Sequence, residues 1–313
     1  MKTTRASPAL RKAVRAGAAA AIGAAVAAPL LRRPARIPAP ATVAACAAGP
    51  LGVAVLHPRS RKRDVAIYAL QMWGFTVVHE LPYDDPARLR ARLRIRYPIL
   101  LDRAIGLGRL PNVRLQRGLA RLPGVTALNR FLTWVHWLWF IEPYAALLFV
   151  LIRHPDRFPR AARQLAAVFD VGCAVYFAVP TAPPWWASEQ GRTGEEVRRI
   201  MEEVGKETWK SAWPGMYKAL GGNPWAAMPS LHFATSLTAA ISLSKTGRAA
   251  GAAGWAYALT LGFALVYLGE HYVTDLAAGA ALVAAVRYGE PLAEPLVLGV
   301  NRGLQRLERL ASG

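Results

Sequence analysis

His271 and Asp275 stand four residues apart where an apolar stretch of the chain begins. On a helix that spacing puts both side chains on one face, within reach of each other. A carboxylate that accepts the proton of one imidazole nitrogen fixes the tautomer and leaves the other nitrogen its lone pair, as a nucleophile or a base. Taken alone, the pair is more readily read as capping a helix and meeting interfacial water. His232 alters the weighing, because it too opens an apolar stretch, directly after the Pro229-Ser230 turn. Two imidazoles and one carboxylate supply a nucleophile, an orienting group and a proton donor, the parts needed for covalent transfer with a poor leaving group.

The elements that must position these residues follow from composition. Of 313 residues, 54% are hydrophobic and 19% charged, and the mean hydropathy is +0.21. These values exclude a disordered chain and a small disulfide scaffold. The 39 Lys and Arg against 19 Asp and Glu leave a formal charge of +20. Positive charge combined with positive hydropathy suggests basic loops flanking apolar spans. A nucleic-acid module would share the charge, but it would not carry so many long apolar runs, and no zinc-finger or RNP pattern is present. Cys46 and Cys173 lie in apolar stretches without His or Cys partners at metal-ligand spacing, so neither a structural zinc nor a disulfide framework is expected.

Runs near the roughly 20 residues that cross a bilayer fall at 64–81, 131–152, 161–180, 232–243, 251–269 and 272–286, the fourth being short. The expected fold is therefore all-α and integral to the membrane. It is a six-helix transmembrane bundle with interfacial helices and an Ala-rich N-terminal extension. The expected organisation is an extension over 1–58, a catalytic core over 59–290 with a basic segment at 83–130 and an outer loop at 183–227, and a cytoplasmic tail over 291–313. The extension begins with Lys2, Arg5, Arg11, Lys12 and Arg15 before Ala-rich runs. It reads as a helical hairpin, a removed signal or a basic arm.

Orientation follows from the short basic connections, which favour the cytoplasmic side. Arg59, Arg61, Lys62 and Arg63, then Arg153, Arg157, Arg160 and Arg163, then Lys245 and Arg248 fall on one side, with Arg287, Arg302, Arg306 and Arg309 after the last span. Three stretches then meet at the outer face: Pro180-Thr181-Ala182-Pro183-Pro184-Trp185-Trp186, Met228-Pro229-Ser230-Leu231-His232, and Glu270-His271-Tyr272-Val273-Thr274-Asp275. The ten arginines between Arg88 and Arg121 break the charge rule. That segment is either a piece lying on the membrane surface against lipid phosphate or a solvated basic helix. The charge pattern Glu195-Glu196, Arg198-Arg199, Glu202-Glu203 suits an exposed helix in a loop lidding the site, and Gly221-Gly222-Asn223-Pro224 reads as its returning turn. His79, His136, Glu142 and Asp170 fall inside spans, where hydrogen-bonded structural roles are expected. The tryptophans 134, 137, 139, 185 and 186 read as interfacial anchors or lipid-facing packing.

The set Pro229-Ser230-Leu231-His232 followed by His271-Tyr272-Val273-Thr274-Asp275 resembles the second and third signature motifs of the type-2 phosphatidic acid phosphatase superfamily. The Pro180 to Trp185 stretch resembles the branch containing inositol phosphorylceramide synthases. The likeness covers 130–287. It implies a lipid phosphatase or phosphotransferase working at the outer face through a phosphohistidine. His271 would be the nucleophile and Asp275 its orienting carboxylate. His232 would be the acid and then the base, and Ser230 a donor to a phosphoryl oxygen. Tyr176, Pro183 and Leu265 stand where the superfamily's common pattern carries cations. Tyr176 is taken with Ser230 as a phosphate contact. Arg192, Lys206, Lys210, Lys218 and the 88–121 segment are the other cations at hand, or the substrate is a less charged phosphodiester.

The implied substrate is a phospholipid or isoprenoid phosphate, in a lipid bilayer and without nucleic acid, with no cofactor and no metal. The acceptor is water or an alcohol. The expected location is a bacterial plasma membrane, with the site on the extracytoplasmic side. Two other readings remain: a non-catalytic lipid-binding or lipid-moving protein, and a metal hydrolase using His232, His271 and Asp275 as ligands.

Overall fold

A computed structural model describes residues 7–215 and 223–312. Among these all the regular secondary structure is helical. The only β features are isolated parallel bridges joining Arg94 to Thr181 and Thr181 to Ala226. Lys2, Arg5, Lys218, Gly221 and Gly222, named above, lie outside the described residues.

The chain divides into two compact units, 1–81 with 288–313, and 82–287. The first contains α1 (Pro8–Leu31), α2 (Ala39–Leu56) and α3 (Arg61–Glu80). Ser7 and Ser60 cap α1 and α3 by accepting the backbone N–H three residues on, which satisfies a donor the helix leaves open. The Trp73 indole donates to the Ala25 carbonyl at 3.0 Å, and Arg63 pairs with Glu308 at 3.3 Å.

The second unit carries α4 (Pro86–Ala91), α5 (Arg96–Ile105), α6 (Pro111–Leu119), α7 (Val125–Leu138) and α8 (Glu142–Arg153). After these come α9 (Phe158–Ala178), α10 (Pro184–Glu189), α11 (Ile200–Trp209), α12 (Leu231–Ser244) and α13 (Arg248–Tyr267). Last is α14 (Val273–Ser312), a 40-residue helix whose residues to Arg287 belong to this unit. By length and composition, α1, α2, α9 and α13 could each cross a membrane. The pair α7 and α8 makes a fifth candidate if it is one bent span, and α12 is a shorter apolar helix.

The apolar run expected at 131–152 is broken: α7 and α8 meet at 54°. Pro143 sits in the first turn of α8. It has no N–H to give the preceding turn, and its ring crowds the carbonyl four residues back, so the α7 ladder does not run on into α8. α12 and α13 approach closely through small side chains. A Cβ on Gly251 would come within 2.8 Å of Ser244 Cα, and one on Gly254 within 2.8 Å of Ala240 Cα, a contact only small residues allow. On α9, Gly172 lies under Leu231, and Tyr176, one turn later, donates its hydroxyl to the Pro229 carbonyl at 2.8 Å. That pair of contacts fixes the start of α12, and with it His232.

Within the basic 83–130 segment, α5 and α6 each bury one face. Ile99, Leu110 and Val113 are buried with Ala187, Val197 and Tyr272 in one cluster. At roughly 1.5–3 kcal/mol per large apolar side chain, that burial is enough to dock α5 and α6 while their arginines face outward. α11 is likewise not an exposed helix. Ile200, Met201 and Val204 are buried with Leu132, Trp213, Ala264 and Tyr267, and only its other face carries charge.

Candidate active site

The loop between α13 and α14 holds His271. Gly269 adopts φ +85°, and a Cβ there would lie 2.4 Å from the Arg198 carbonyl, so conformation and space both demand glycine. His271 is not part of a helix. α14 starts at Val273, and the expectation that His271 and Asp275 share a helical face is corrected accordingly. Their contact has a different origin. Asp275, in the first turn, turns its Oδ2 back to accept the Tyr272 N–H at 2.8 Å. This is the carboxylate half of a capping box. The same oxygen lies 3.3 Å from His271 Nδ1.

Three buried polar side chains from the basic segment hold this loop, and sequence reasoning did not single them out. Asp102 accepts the Val273 and Thr274 N–H groups at 2.8 and 2.9 Å, satisfying two of the open donors of α14. Burial pushes its carboxyl above the ordinary carboxylate range, against the pull of those two N–H groups. Asn112 donates to the Val266 and His271 carbonyls at 2.7 and 3.0 Å. Gln116 donates to the carbonyls of Arg198 and Tyr267, both at 2.9 Å, and accepts the Arg198 N–H.

The second histidine arrives on α12. Ser230 caps that helix, its Oγ accepting the Phe233 N–H at 3.3 Å, and its own N–H donates to the Asp275 carbonyl at 2.9 Å. The two motifs are thereby bonded backbone to backbone. His232 Nδ1 lies 3.3 Å from His271 Nε2. The chain Asp275, His271, His232 is therefore continuous, with Asp275 and Ser230 fully buried, His271 4% exposed and His232 partly accessible.

Two residues read as structural or lipid-facing belong to this group. The Trp139 ring lies 4.1 Å from the His232 ring, centroid to centroid, and its indole donates to Thr235 at 2.8 Å. The His136 ring lies 5.0 Å from that of His232. The break after α7 brings both residues to α12, and the nearby Glu142 carboxylate accepts from Ser236 at 3.1 Å.

The 180–186 stretch joins the same place. Thr181 bridges Arg94 and Ala226 through backbone hydrogen bonds, and the Trp185 N–H donates to the Gly269 carbonyl at 3.2 Å. The Tyr97 hydroxyl lies 2.8 Å from Thr181 Oγ1 and 3.1 Å from Met228 Sδ. Burial pushes Tyr97 up to about 12, so it remains a donor at neutral pH. Tyr176, expected at the phosphate, gives its proton to Pro229 and is buried beneath the Ser230 turn. Pro183 precedes α10, and Leu265 is buried in the α13 core. Lys206, Lys210 and Arg192 are exposed. Among the described residues, no group of three or more His, Cys, Asp or Glu is disposed to hold a metal ion, and Cys46 and Cys173 are buried free thiols.

A family model described as the PAP2 superfamily matches residues 100–288. The match begins thirty residues ahead of the stretch over which the motifs carry the resemblance, and so takes in Asp102, Asn112 and Gln116. No curated protein and no solved structure matches.

Proposed function

Because this chain belongs to the PAP2 superfamily, whose members are generally phosphatases or phosphotransferases, we propose that it transfers or hydrolyses a lipid phosphate through a phosphohistidine at His271. The observation that carries the reading is the unbroken run Asp275 Oδ2, His271, His232, with 3.3 Å at each contact. With Nδ1–H held by Asp275, the lone pair of His271 Nε2 forms the N–P bond while the P–O bond to the leaving alcohol breaks. His232 gives that oxygen its proton. In the second half, water or an acceptor alcohol loses its proton to His232 as the new P–O bond forms and the N–P bond breaks. A phosphoryl group cannot fit between nitrogens 3.3 Å apart, so His232 must turn away from His271 over the Trp139 face when substrate enters.

Ser230, whose oxygen accepts from Phe233, keeps its hydroxyl proton for a phosphoryl oxygen. Tyr176 acts one step back in this reading, holding the Ser230 turn through Pro229. The likeness of the Pro180 to Trp185 stretch to inositol phosphorylceramide synthases supports a phosphodiester substrate and transfer to an alcohol. The loop charges support placing the site on the extracytoplasmic face, the apolar runs a six-helix core, and the Ala- and Arg-rich composition a bacterial plasma membrane. The absence of a cation at Tyr176, Pro183 and Leu265 favours the second reading, a lipid-binding protein without turnover.

The test uses the full chain purified in detergent with EDTA, offered phosphatidic acid, an isoprenyl diphosphate and a phosphoinositide, with His271→Ala alongside. Release that survives EDTA and disappears in the variant is the expected result. Equal turnover by both proteins eliminates the nucleophile, and EDTA-sensitive turnover transfers the assignment to a metal.

A further inference from the structure

We infer that Arg199 is the cation that receives the substrate's phosphate, and that Glu270 and Glu202 hold its guanidinium while the site is empty. The inference rests on the phosphoryl-transfer reading above and names the group that would carry the charge.

A phosphoryl group in transit spreads negative charge over its equatorial oxygens, and it needs a cation fixed in place before the reaction begins. Arg199 meets that requirement. Its guanidinium carbon lies 3.7 Å from the centroid of the Trp185 ring, a stacked arrangement suited to a planar cation. Its backbone is fixed from both sides: Gln116 holds the N–H and carbonyl of Arg198, and the Ile200 N–H donates to the Leu268 carbonyl. Its side chain is 12% exposed. The other ion-paired cations of the outer loop and the 83–130 segment, Arg109, Arg117, Arg130, Arg198 and Lys206, are 46–66% exposed. Exposed pairs of that kind are screened by solvent and bind weakly.

Location distinguishes Arg199 further. It donates from Nε to Glu270 Oε1 at 3.2 Å, and Glu270 directly precedes His271. Arg199, Glu270 and His271 all lie within electrostatic reach of His136, whose ring neighbours that of His232. The fork of Arg199 is thus filled by two carboxylates, Glu270 at Nε and Glu202 at Nη1, the latter at 2.6 Å. A phosphate presents the same pair of anionic oxygens to a guanidinium. Glu202 is held more closely and shares Lys206 at 2.8 Å. Glu270, on the longer bond and nearer the nucleophile, is the group that yields. Its carboxylate then competes with every substrate, and its charge beside the site disfavours a dianionic monoester relative to a monoanionic diester.

The experiment measures orthovanadate binding to the detergent-purified full chain by calorimetry, together with turnover of a phosphodiester and a phosphomonoester lipid. Thermal unfolding of each variant is recorded beside it. Arg199→Gln is expected to weaken vanadate at least tenfold and to raise KM more than it lowers kcat, with Arg199→Lys intermediate. Glu270→Gln, which leaves the cation in place, is expected to tighten vanadate several-fold and to improve monoester turnover relative to diester. A merely structural Arg199 would not produce that opposite sign. Vanadate binding within twofold of wild type in Arg199→Gln, or weakened binding in Glu270→Gln, overturns the assignment even if His271→Ala abolishes turnover. Turnover unchanged in His271→Ala overturns the reaction, and this assignment with it.

Discussion

At the residue scale, the proposed reaction gives the two histidines different jobs and different sensitivities. His271 would carry the phosphoryl group, whereas His232 would only move a proton, and the need for that proton depends on the leaving group. His232→Ala is expected to lower turnover of an alkyl phosphate lipid by about 10²–10⁴-fold. A nitrophenyl ester, whose leaving oxygen needs no protonation, should lose much less. Equal losses on both substrates would remove His232 from the acid role. In this reading the Trp139 ring, 4.1 Å from that of His232, would be the surface over which the imidazole turns.

At the element scale, the loop that carries His271, the proposed nucleophile, closes onto the end of α13 through its own backbone, Glu270 and His271 donating their N–H groups to the Leu265 carbonyl at 3.0 and 3.1 Å, and is held from outside by side chains of α5 and α6. Asp102, Asn112 and Gln116 reach it from helices 150 or more residues earlier in the chain and use seven hydrogen bonds to backbone groups of the end of α13, of the loop, of the start of α14 and of Arg198. Asn112→Asp keeps the shape of the side chain but turns a donor into an acceptor facing two carbonyl oxygens. It is expected to cost at least about 2 kcal/mol, read as a lowered Tm in detergent. Asp102→Asn retains one acceptor oxygen but sets an amide N–H against the second helix donor and removes the charge that favours the start of α14, an expected loss of about 1–2 kcal/mol. Unchanged unfolding in both variants would show that the loop keeps its shape without them.

At the scale of the whole molecule, the loop charges predict which surfaces face outward. Glu189 lies at the end of α10 and Asp156 in the turn between α8 and α9, and both are exposed. With Cys46 and Cys173 changed to serine, a membrane-impermeant thiol reagent should label Glu189→Cys in intact cells and Asp156→Cys only after permeabilisation. Labelling with the reverse pattern would put the two histidines on the cytoplasmic side.

His232, His271 and Asp275 were legible in the sequence because each lies in a short motif at the edge of an apolar run, where an ionisable group is costly enough to stand out. The helical character of the chain was legible for the same reason, since hydropathy is a local property. The break after Leu138 carried a local mark too, Glu142-Pro143, which the continuous apolar run around it obscured. Arg199 stood out only as part of the charge pattern with Arg198, Glu202 and Glu203, one of 39 basic residues. Nothing near it in sequence announces that Trp185, Glu270 and the backbone around Gln116 will surround it. Asp102, Asn112 and Gln116 were equally silent, because a buried polar side chain is defined by the donors and acceptors it satisfies. Theirs lie 82 to 172 positions away, and only folding brings such groups together.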